Sequence, residues 1–166
     1  MILKRSYLRG AAVQKEHFRR LQIEGEDDLA RSTNNAACEL TQAMVPVMPA
    51  LALRNKRTQN VKSFLNMIAG QETPFRPLFD SWPKGAAPFN AVLFCESSHV
   101  RDRLLAHLIA NRVYAAVHWR LVSSDPFRPD RSLQRLSDRL LTIPVDHRLN
   151  AADLARVVGI LLDFAR

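Results

Sequence analysis

The sequence predicts an α+β protein in which long N-terminal helices precede a small sheet of about three strands, with helices packed on one face of that sheet. Apolar residues of the first half recur at the three- and four-residue spacing of helices. A connector with four prolines, residues 70–88, follows them. Beyond it, short apolar segments typical of strands alternate with helical patterns. The 166 residues suffice for one domain with a substantial core.

The positive charge is concentrated at the N-terminus. Residues 1–23 contain six lysines and arginines and one glutamate, a net charge of +5 out of the +8 of the whole chain. We therefore divide the chain into a basic N-terminal arm, 1–23, and a nearly balanced region, 24–166. A nucleic-acid-binding module that uses the arm remains an alternative, although the balanced charge of the rest disfavours nucleic acid as a partner.

Two helices are predicted between residues 26 and 69. The first, over 26–45, ends at Pro46 and Pro49, because proline removes a backbone donor and disfavours helix in the residue before it. The second runs to about Ala69 and has a clear apolar stripe. Its members are Val61, Phe64, Leu65 and Ile68.

Residues 89–166 predict the order β-α-β-α-β-α. Ser97 or Ser98 and Asn150 are expected to cap helices, because their side-chain oxygens can accept the exposed first-turn amides. Asn111 is expected to take the left-handed conformation that ends the first of these helices. The predicted strands are 89–95, 114–121 and 140–146.

The strand predicted over 114–121 has one apolar face and one polar, aromatic face. A strand alternates its side chains, so Ala115, Val117, Trp119 and Leu121 share the face expected to join the core. The other face carries Tyr114, His118 and Arg120. This face is too polar to be buried in a hydrophobic core and too aromatic to be typical of a solvent-exposed surface. We expect it to line a site or to meet another domain.

The common catalytic and targeting motifs are absent from the sequence. There is no glycine-rich phosphate loop, no G-x-S-x-G, no pair of histidines at metal-ligand spacing and no C-x-x-C. The N-terminus lacks the apolar core of a signal peptide, and no apolar run is long enough for a bilayer. We expect a cytoplasmic protein without a membrane partner. Asp146, at the end of the third predicted strand, is a site candidate or one half of an ion pair.

Several short motifs resemble the C-terminal small domain of DegT-type pyridoxal-phosphate-dependent aminotransferases, which are fold-type I enzymes. The resemblance covers about residues 24–166. It includes an R-x-x-L-x-x-x-L helix, a His-aromatic pair, an L-P-[IV]-D-like strand end, a D-x-x-x-V-x-x-x-L helix, and the E-x-x-L and R-x-x-N features of the long helices. In this sequence they are Arg101 to Leu108, His118 and Trp119, Ile143 to Asp146, Asp153 to Leu161, Glu26 to Leu29, and Arg57 with Asn60.

The resemblance implies a C-terminal piece that is inactive alone and holds no cofactor itself. In the family, pyridoxal phosphate binds to a preceding large domain, which supplies the Schiff-base lysine, and none of the five lysines here matches that setting. The small domain would line the pocket and make dimer contacts. His118 and Trp119 would then face the large domain or the substrate. Arg57 and Asn60 would hold the long helix to its neighbours or contact the substrate.

The sequence also departs from the family pattern. Arg112 stands where a glycine is common, so Asn111 is expected to make the turn there, and Val61 stands where the family often has tyrosine. The exposed sheet face predicts a protein partner or a second copy of the chain. A regulatory or dimerisation subunit that pairs with a full-length relative is therefore a further alternative.

Overall fold

The computed structural model describes residues 3, 6–7, 9–32, 36–118, 121 and 130–165. The chain divides into two compact units, Met1–Met48 and Pro49–Arg166. Two predicted site residues, Trp119 and Arg120, lie outside the described residues.

The described part of the first unit includes the helices α1 (Lys15–Arg31) and α2 (Glu39–Met44) and a 3-10 turn, Val45–Val47, none of which buries a residue. The helix predicted over 26–45 is therefore interrupted, and α1 runs across the end of the predicted basic arm at residue 23. At the end of α1, Ser32 is extended and its hydroxyl donates to the Leu29 carbonyl, 2.9 Å away. Serine side chains that bond to nearby backbone in this way compete with helix continuation.

The long helix of the second unit, α3 (Ala50–Ile68), begins immediately after Pro49, as the prolines predict. Three members of the predicted apolar stripe, Val61, Phe64 and Ile68, are buried, and Leu65 packs against the same core. Asn60 is buried as well. The stripe is therefore confirmed, with one polar residue within it.

Over the residues that the structure describes, the sheet has three antiparallel strands in the order β1-β2-β3. They are β1 (Phe75–Pro77), β2 (Asn90–Cys95) and β3 (Leu140–Pro144). The first, β1, lies inside the predicted connector, because two prolines, Pro74 beside it and Pro77 within it, favour a loop over a strand. Pro77 is compatible with an edge strand because a donor on the outer side needs no partner. Phe75 lies opposite Cys95, and Val92 lies opposite Thr142.

Three helices complete the second unit: α4 (Ser98–Ala110), α5 (Arg131–Ser137) and α6 (Ala151–Ala165). The predicted caps are confirmed. The Ser97 hydroxyl accepts from the Val100 amide at 3.1 Å. Asn150 and Asp153 form a reciprocal box, in which each side chain accepts from the other's amide at 2.9 Å.

The helices cover one face of the sheet, which confirms the predicted α+β arrangement. Burial alternates along β2 and β3, so that alternate side chains point into the core and the intervening ones are only half-buried. The core is formed by that inner face with the buried sides of α3, α4 and α6. The strand residues in it are Ala91, Leu93, Cys95, Leu141 and Ile143, and the helical residues include Phe64, Leu104, Leu108, Leu154 and Leu161.

The segment predicted as the 114–121 strand forms one bridge rather than a strand in its described part. Ala116 and Thr142 exchange backbone hydrogen bonds of 3.0 and 2.9 Å on the outer edge of β3. The predicted alternation is present: Ala115 and Val117 pack against the core, whereas Tyr114 and His118 are exposed. The segment thus lies at the sheet edge with the predicted side facing the core.

The turn after α4 corrects one prediction. Asn111 has a φ of −92°, and it is Arg112, with a φ of 59°, that adopts the left-handed conformation. The amides of Arg112 and Val113 donate to the carbonyls of Ile109 and Leu108, the pattern of a Schellman motif. Val113 and Leu108 are both buried and lock this geometry. The register of the buried pair, and not the preference of Asn111, decides which residue is left-handed.

We expect Arg112→Gly to raise the free energy of unfolding by about 0.5–1 kcal/mol. A left-handed conformation costs a residue with a Cβ about 1–2 kcal/mol, and the greater freedom of glycine in the unfolded chain offsets part of that gain. Urea unfolding measures the difference. Arg112→Ala is the matched control, because it removes the guanidinium but keeps the Cβ. A gain of equal size in both variants would contradict a backbone origin.

Among the described residues, no helix combines the length and the apolarity needed to cross a bilayer.

Candidate functional site

The structure places the predicted site residues in two groups at opposite ends of the sheet. Tyr114, Asp146, Asn60 and Arg57 lie toward the end where β3 finishes. His118 lies four residues beyond Tyr114 in the edge segment, about 13 Å along it at the usual rise per residue. The described candidates therefore do not form one constellation.

The turn after β3 is organised by the Asp146 carboxylate, which is fully buried. One carboxylate oxygen accepts from the backbone amide and Nε of Arg148 at 2.8 and 2.9 Å, and the other accepts from a terminal guanidinium nitrogen at 2.6 Å. These bonds to Arg148 hold the pKa of Asp146 below its usual range, although burial acts in the opposite direction. Asp146 is therefore an ionised anchor for the turn rather than a candidate proton donor.

The long helix α3 is bonded to this turn by Asn60. Its side-chain nitrogen donates to the carbonyls of Asp146 at 2.7 Å and Leu149 at 3.0 Å. Both hydrogens of the Asn60 side-chain amide are therefore used, and the residue is only 2 % exposed. Asn60 thus fixes the axial position of α3 relative to the end of β3.

Arg57 contacts the same turn from one helical turn earlier. Its Nε donates to Nδ1 of His147 at 3.2 Å, and its guanidinium lies 5.1 Å from the centre of the Phe89 ring. The guanidinium of Arg148 lies over the same ring at 5.7 Å. We define the Asp146 joint as Arg57, Asn60, Phe89 and residues 146–149. In this joint, Arg57 and Asn60 hold the long helix to its neighbours.

A groove of about 470 Å³ opens beside the Asp146 joint. Tyr114, 74 % exposed, lies on its wall, and Val113, Pro144, Leu149 and Val157 give it an apolar lining. Three arginines and two aspartates line it as well: Arg112, Arg148, Arg156, Asp146 and Asp153.

The face of the sheet opposite the helices carries polar and aromatic side chains. We call it the open face. By strand alternation and register it also carries apolar residues, and its described members are Arg76, Asn90, Val92, Phe94, Tyr114, Ala116, His118, Leu140, Thr142 and Pro144. The guanidinium of Arg76 lies 5.2 Å and that of Arg139 4.0 Å from the centre of the Phe94 ring. Cation–π contacts of this kind hold two positive charges on the open face.

Sequence reasoning did not find the Arg76–Phe94–Arg139 contacts or the arginines of the groove. Phe94 was visible only as an apolar strand residue, and its partners come from β1, hidden among prolines, and from the start of β3. Arg112 and Arg156 are 44 positions apart in sequence. Only the antiparallel register and the packing of α6 against α4 bring such residues together.

Neither cysteine provides a nucleophile at these sites. Cys95 is fully buried on the inner face of the sheet, and burial raises the pKa of its thiol to about 11. Cys38 is exposed in the first unit, where a hydrogen bond with Thr41 lowers its pKa. Within the described ranges, no group of histidines, cysteines and carboxylates is arranged to hold a metal ion.

We expect the stabilising effect of Asp146 to disappear in acid. Its folded pKa is lowered, so its contribution is complete above the unfolded value of about 3.9 and is lost as the pH falls through the lower folded value. The stability difference between the native protein and Asp146→Asn should be constant between about pH 5 and 8 and shrink below about pH 4.

Denaturant unfolding across this pH range measures that difference. Asp80→Asn, at an exposed position, is the matched control and should show a small difference throughout. A difference for Asp146→Asn that grows toward low pH would contradict the sign of the predicted linkage.

Known proteins match this chain in structure but not in sequence. No protein-family model and no curated protein sequence matches it. Solved structures do match. The aminotransferase PseC of Helicobacter pylori, involved in the biosynthesis of pseudoaminic acid, aligns with a TM-score of 0.62 and 14 % identity. The alignment covers 70 % of this chain and 33 % of PseC.

Two further solved structures agree. The sugar aminotransferase CalS13 of Micromonospora echinospora aligns with a TM-score of 0.58 and 17 % identity, over 69 % of this chain and 31 % of CalS13. A DegT DnrJ EryC1 StrS aminotransferase of Brucella abortus gives 0.55 and 16 %, over 68 % and 31 %. The chain has the fold of part of a sugar aminotransferase. The resemblance drawn from the sequence motifs is confirmed at the level of the fold.

This chain spans about a third of the length of the matched aminotransferases. The share of this chain that aligns, 68–70 %, is close to the size of the second unit, which has 118 of the 166 residues. That unit contains the sheet, the Asp146 joint and the open face.

The described residues do not fit pyridoxal phosphate as a covalently held cofactor. A small groove of about 230 Å³ contains Lys62, Asp80 and Trp82, but Lys62 and Asp80 are exposed to solvent. Nothing there would exclude water from an imine at the lysine nitrogen. Lys56, the half-buried lysine of α3, lines a different groove, which has neither a carboxylate nor an aromatic ring. We therefore assign no cofactor chemistry to these residues.

Proposed function

We propose that this chain is the small-domain portion of a DegT-type, pyridoxal-phosphate-dependent aminotransferase and is inactive alone. The observation that carries the proposal is the open face, which belongs to a fold shared with sugar aminotransferases and which, in the described part of the unit, lies opposite the core helices with Tyr114 and His118 exposed. In the complete enzyme, pyridoxal phosphate and its Schiff-base lysine would belong to another part of the protein. We place this enzyme in the cytoplasm.

The open face would form a wall of the substrate pocket or the contact with the rest of the enzyme. His118 is exposed at one end of this wall, and Tyr114 is exposed at the other. The Arg76–Phe94–Arg139 contacts would supply positive charge for a carboxylate or phosphate that approaches the face.

The Asp146 joint has a positioning role in this proposal. Asn60 and Arg57 tie α3 to the end of β3, so α3 and the sheet would move as one body when the pocket opens and closes. A protein partner or a second copy of the chain would cover the open face and complete the pocket. A dimerisation subunit would use the same face.

We expect no stoichiometric cofactor adduct when the purified chain is incubated with pyridoxal phosphate and reduced with borohydride. Reduction traps an imine on a lysine, and mass spectrometry then locates it. Substoichiometric labelling spread over exposed lysines is the expected result, with Lys62→Arg as the control for the small groove. Complete labelling of one lysine, together with transamination by the chain alone, would overturn the proposal.

A further inference from the structure

The groove beside the Asp146 joint has an unusual balance of charged groups. Both of its aspartates are already engaged: Asp146 accepts from Arg148, and Asp153 accepts from the Asn150 amide. Arg148 is neutralised by its pairing with Asp146. The bond from the neutral Asn150 amide leaves Asp153 charged, so three charged groups of the groove have no ion-pair partner among the described residues: the Asp153 carboxylate and the guanidinium groups of Arg112 and Arg156.

The two arginines are held near each other by the end of α4. Arg156, on α6, donates from a terminal nitrogen to the carbonyl of Asn111 at 2.6 Å. Asn111 directly precedes Arg112, so this bond holds the guanidinium of Arg156, on α6, beside the turn that carries Arg112. The bond uses one donor of Arg156 and leaves the others of this five-donor group available.

Arg112 occupies the groove at an energetic cost. It holds the left-handed φ of 59° that glycine would adopt without strain. Non-glycine residues in this conformation cluster at binding sites and active sites, where the side chain is needed in that place. Its guanidinium has no hydrogen-bond or ion-pair partner among the residues that the structure describes.

We propose that this groove is an anion site that takes the phosphate group of a small-molecule ligand. Arg112 and Arg156 are the donors, and the guanidinium fork matches the oxygens of a phosphate. The groove, at about 470 Å³, is larger than one phosphate. The apolar wall and the exposed Tyr114 ring would contact the group that carries it. The groove shares Tyr114 with the open face, whereas His118 lies four residues further along the edge segment and is not part of the groove.

Titration of the full chain with inorganic pyrophosphate, followed by calorimetry at low salt, tests the proposal. We expect saturable binding that weakens as salt is added, because two exposed charge contacts are screened. Arg112→Gly should weaken binding about tenfold or more, since bonds to charged groups dominate the site. This variant relieves backbone strain, so a loss of binding would not reflect a loss of fold.

Control variants and competing anions distinguish binding at this groove from nonspecific attraction of anions to a basic protein. Arg156→Gln should weaken binding as Arg112→Gly does. Arg135→Ala removes one charge from an exposed position on α5 and should leave binding unchanged. Glucose 1-phosphate should bind at the same site, and acetate should not compete with it.

Three results would overturn the proposal: no saturable binding of pyrophosphate, equal weakening by Arg112→Gly and Arg135→Ala, or equal competition by acetate. None of them bears on the small-domain proposal, which the borohydride experiment tests separately. The two proposals can therefore fail independently.

Discussion

Replacing Asn60 with alanine lowers the free energy of unfolding by roughly 2–4 kcal/mol, the expected effect of removing two donors from buried carbonyls. The amide nitrogen of Asn60 donates to the carbonyls of Asp146 and Leu149, and Asn60 is only 2 % exposed. The truncation also leaves a small void between α3 and the turn after β3. Urea unfolding followed by circular dichroism measures the loss.

Two further variants identify the cause of that loss. Asn66→Ala, at an exposed position on the same helix, controls for the change in helix propensity and should change stability by less than about 0.5 kcal/mol. Asn60→Asp keeps the volume but replaces the donor with a carboxylate oxygen facing two carbonyl oxygens, so it should destabilise at least as much as alanine. A stable Asn60→Asp protein would show that the two hydrogen bonds are not what holds the joint.

The Asp146 joint illustrates how far the sequence predicts a site. The sequence marks Asn60, Arg57 and Asp146 individually, through their resemblance to family motifs and their position at an element end. It does not show that Asn60 bonds to the backbone of Asp146, because the two residues are 86 positions apart. Every residue type has a backbone carbonyl, so a hydrogen bond to one does not constrain the residue type of the acceptor and cannot be recognised from the sequence.

In the second unit, the helices and their N-caps are better predicted than the strands. The Ser97 cap and the Asn150–Asp153 box depend on residues within one turn of each other, and both form as predicted. The strand β1 and the bridge at Ala116 depend on partners far away in the chain. Local residue preferences predict a loop at the proline-rich β1 and a full strand over 114–121. Their actual extent is set by pairing with β2 and β3.

Left-handed Arg112 shows a related limit. Local preference favours Asn111 for that conformation, and the buried pair Leu108 and Val113 overrides it by fixing the register of the Schellman turn. Arg112, which lines the groove, therefore carries the energetic cost of the left-handed conformation. At Arg112 the conformation that the packing requires disagrees with the preference of the residue type. Arg112 lies at the surface and its guanidinium donors are unsatisfied among the described residues. Such disagreements are expected at functional positions.

Phe64→Ala is expected to lower the free energy of unfolding by about 3–5 kcal/mol, a larger loss than the Asn60 and Asp146 variants should show. Phe64 is fully buried on the face of α3 that packs against α6, in the same core as the inner-face strand residues. Truncation removes the ring from the centre of this core, and the rigid strands on one side cannot collapse into the space. Thermal and urea unfolding both measure the loss, which for a unit of this size approaches half of an ordinary total stability.

The Phe64 prediction also tests whether the second unit folds around α3. Phe79→Ala is the matched control, because Phe79 is 46 % exposed and contacts Trp82 through a tilted ring pair 5.1 Å apart. It should cost about 1 kcal/mol. Phe64→Leu should recover most of the loss caused by alanine, since it refills much of the volume. Equal effects of Phe64→Ala and Phe79→Ala would mean that α3 does not contribute to the core. In that case the Asp146 joint could not position the open face, and the small-domain proposal would lose its structural basis.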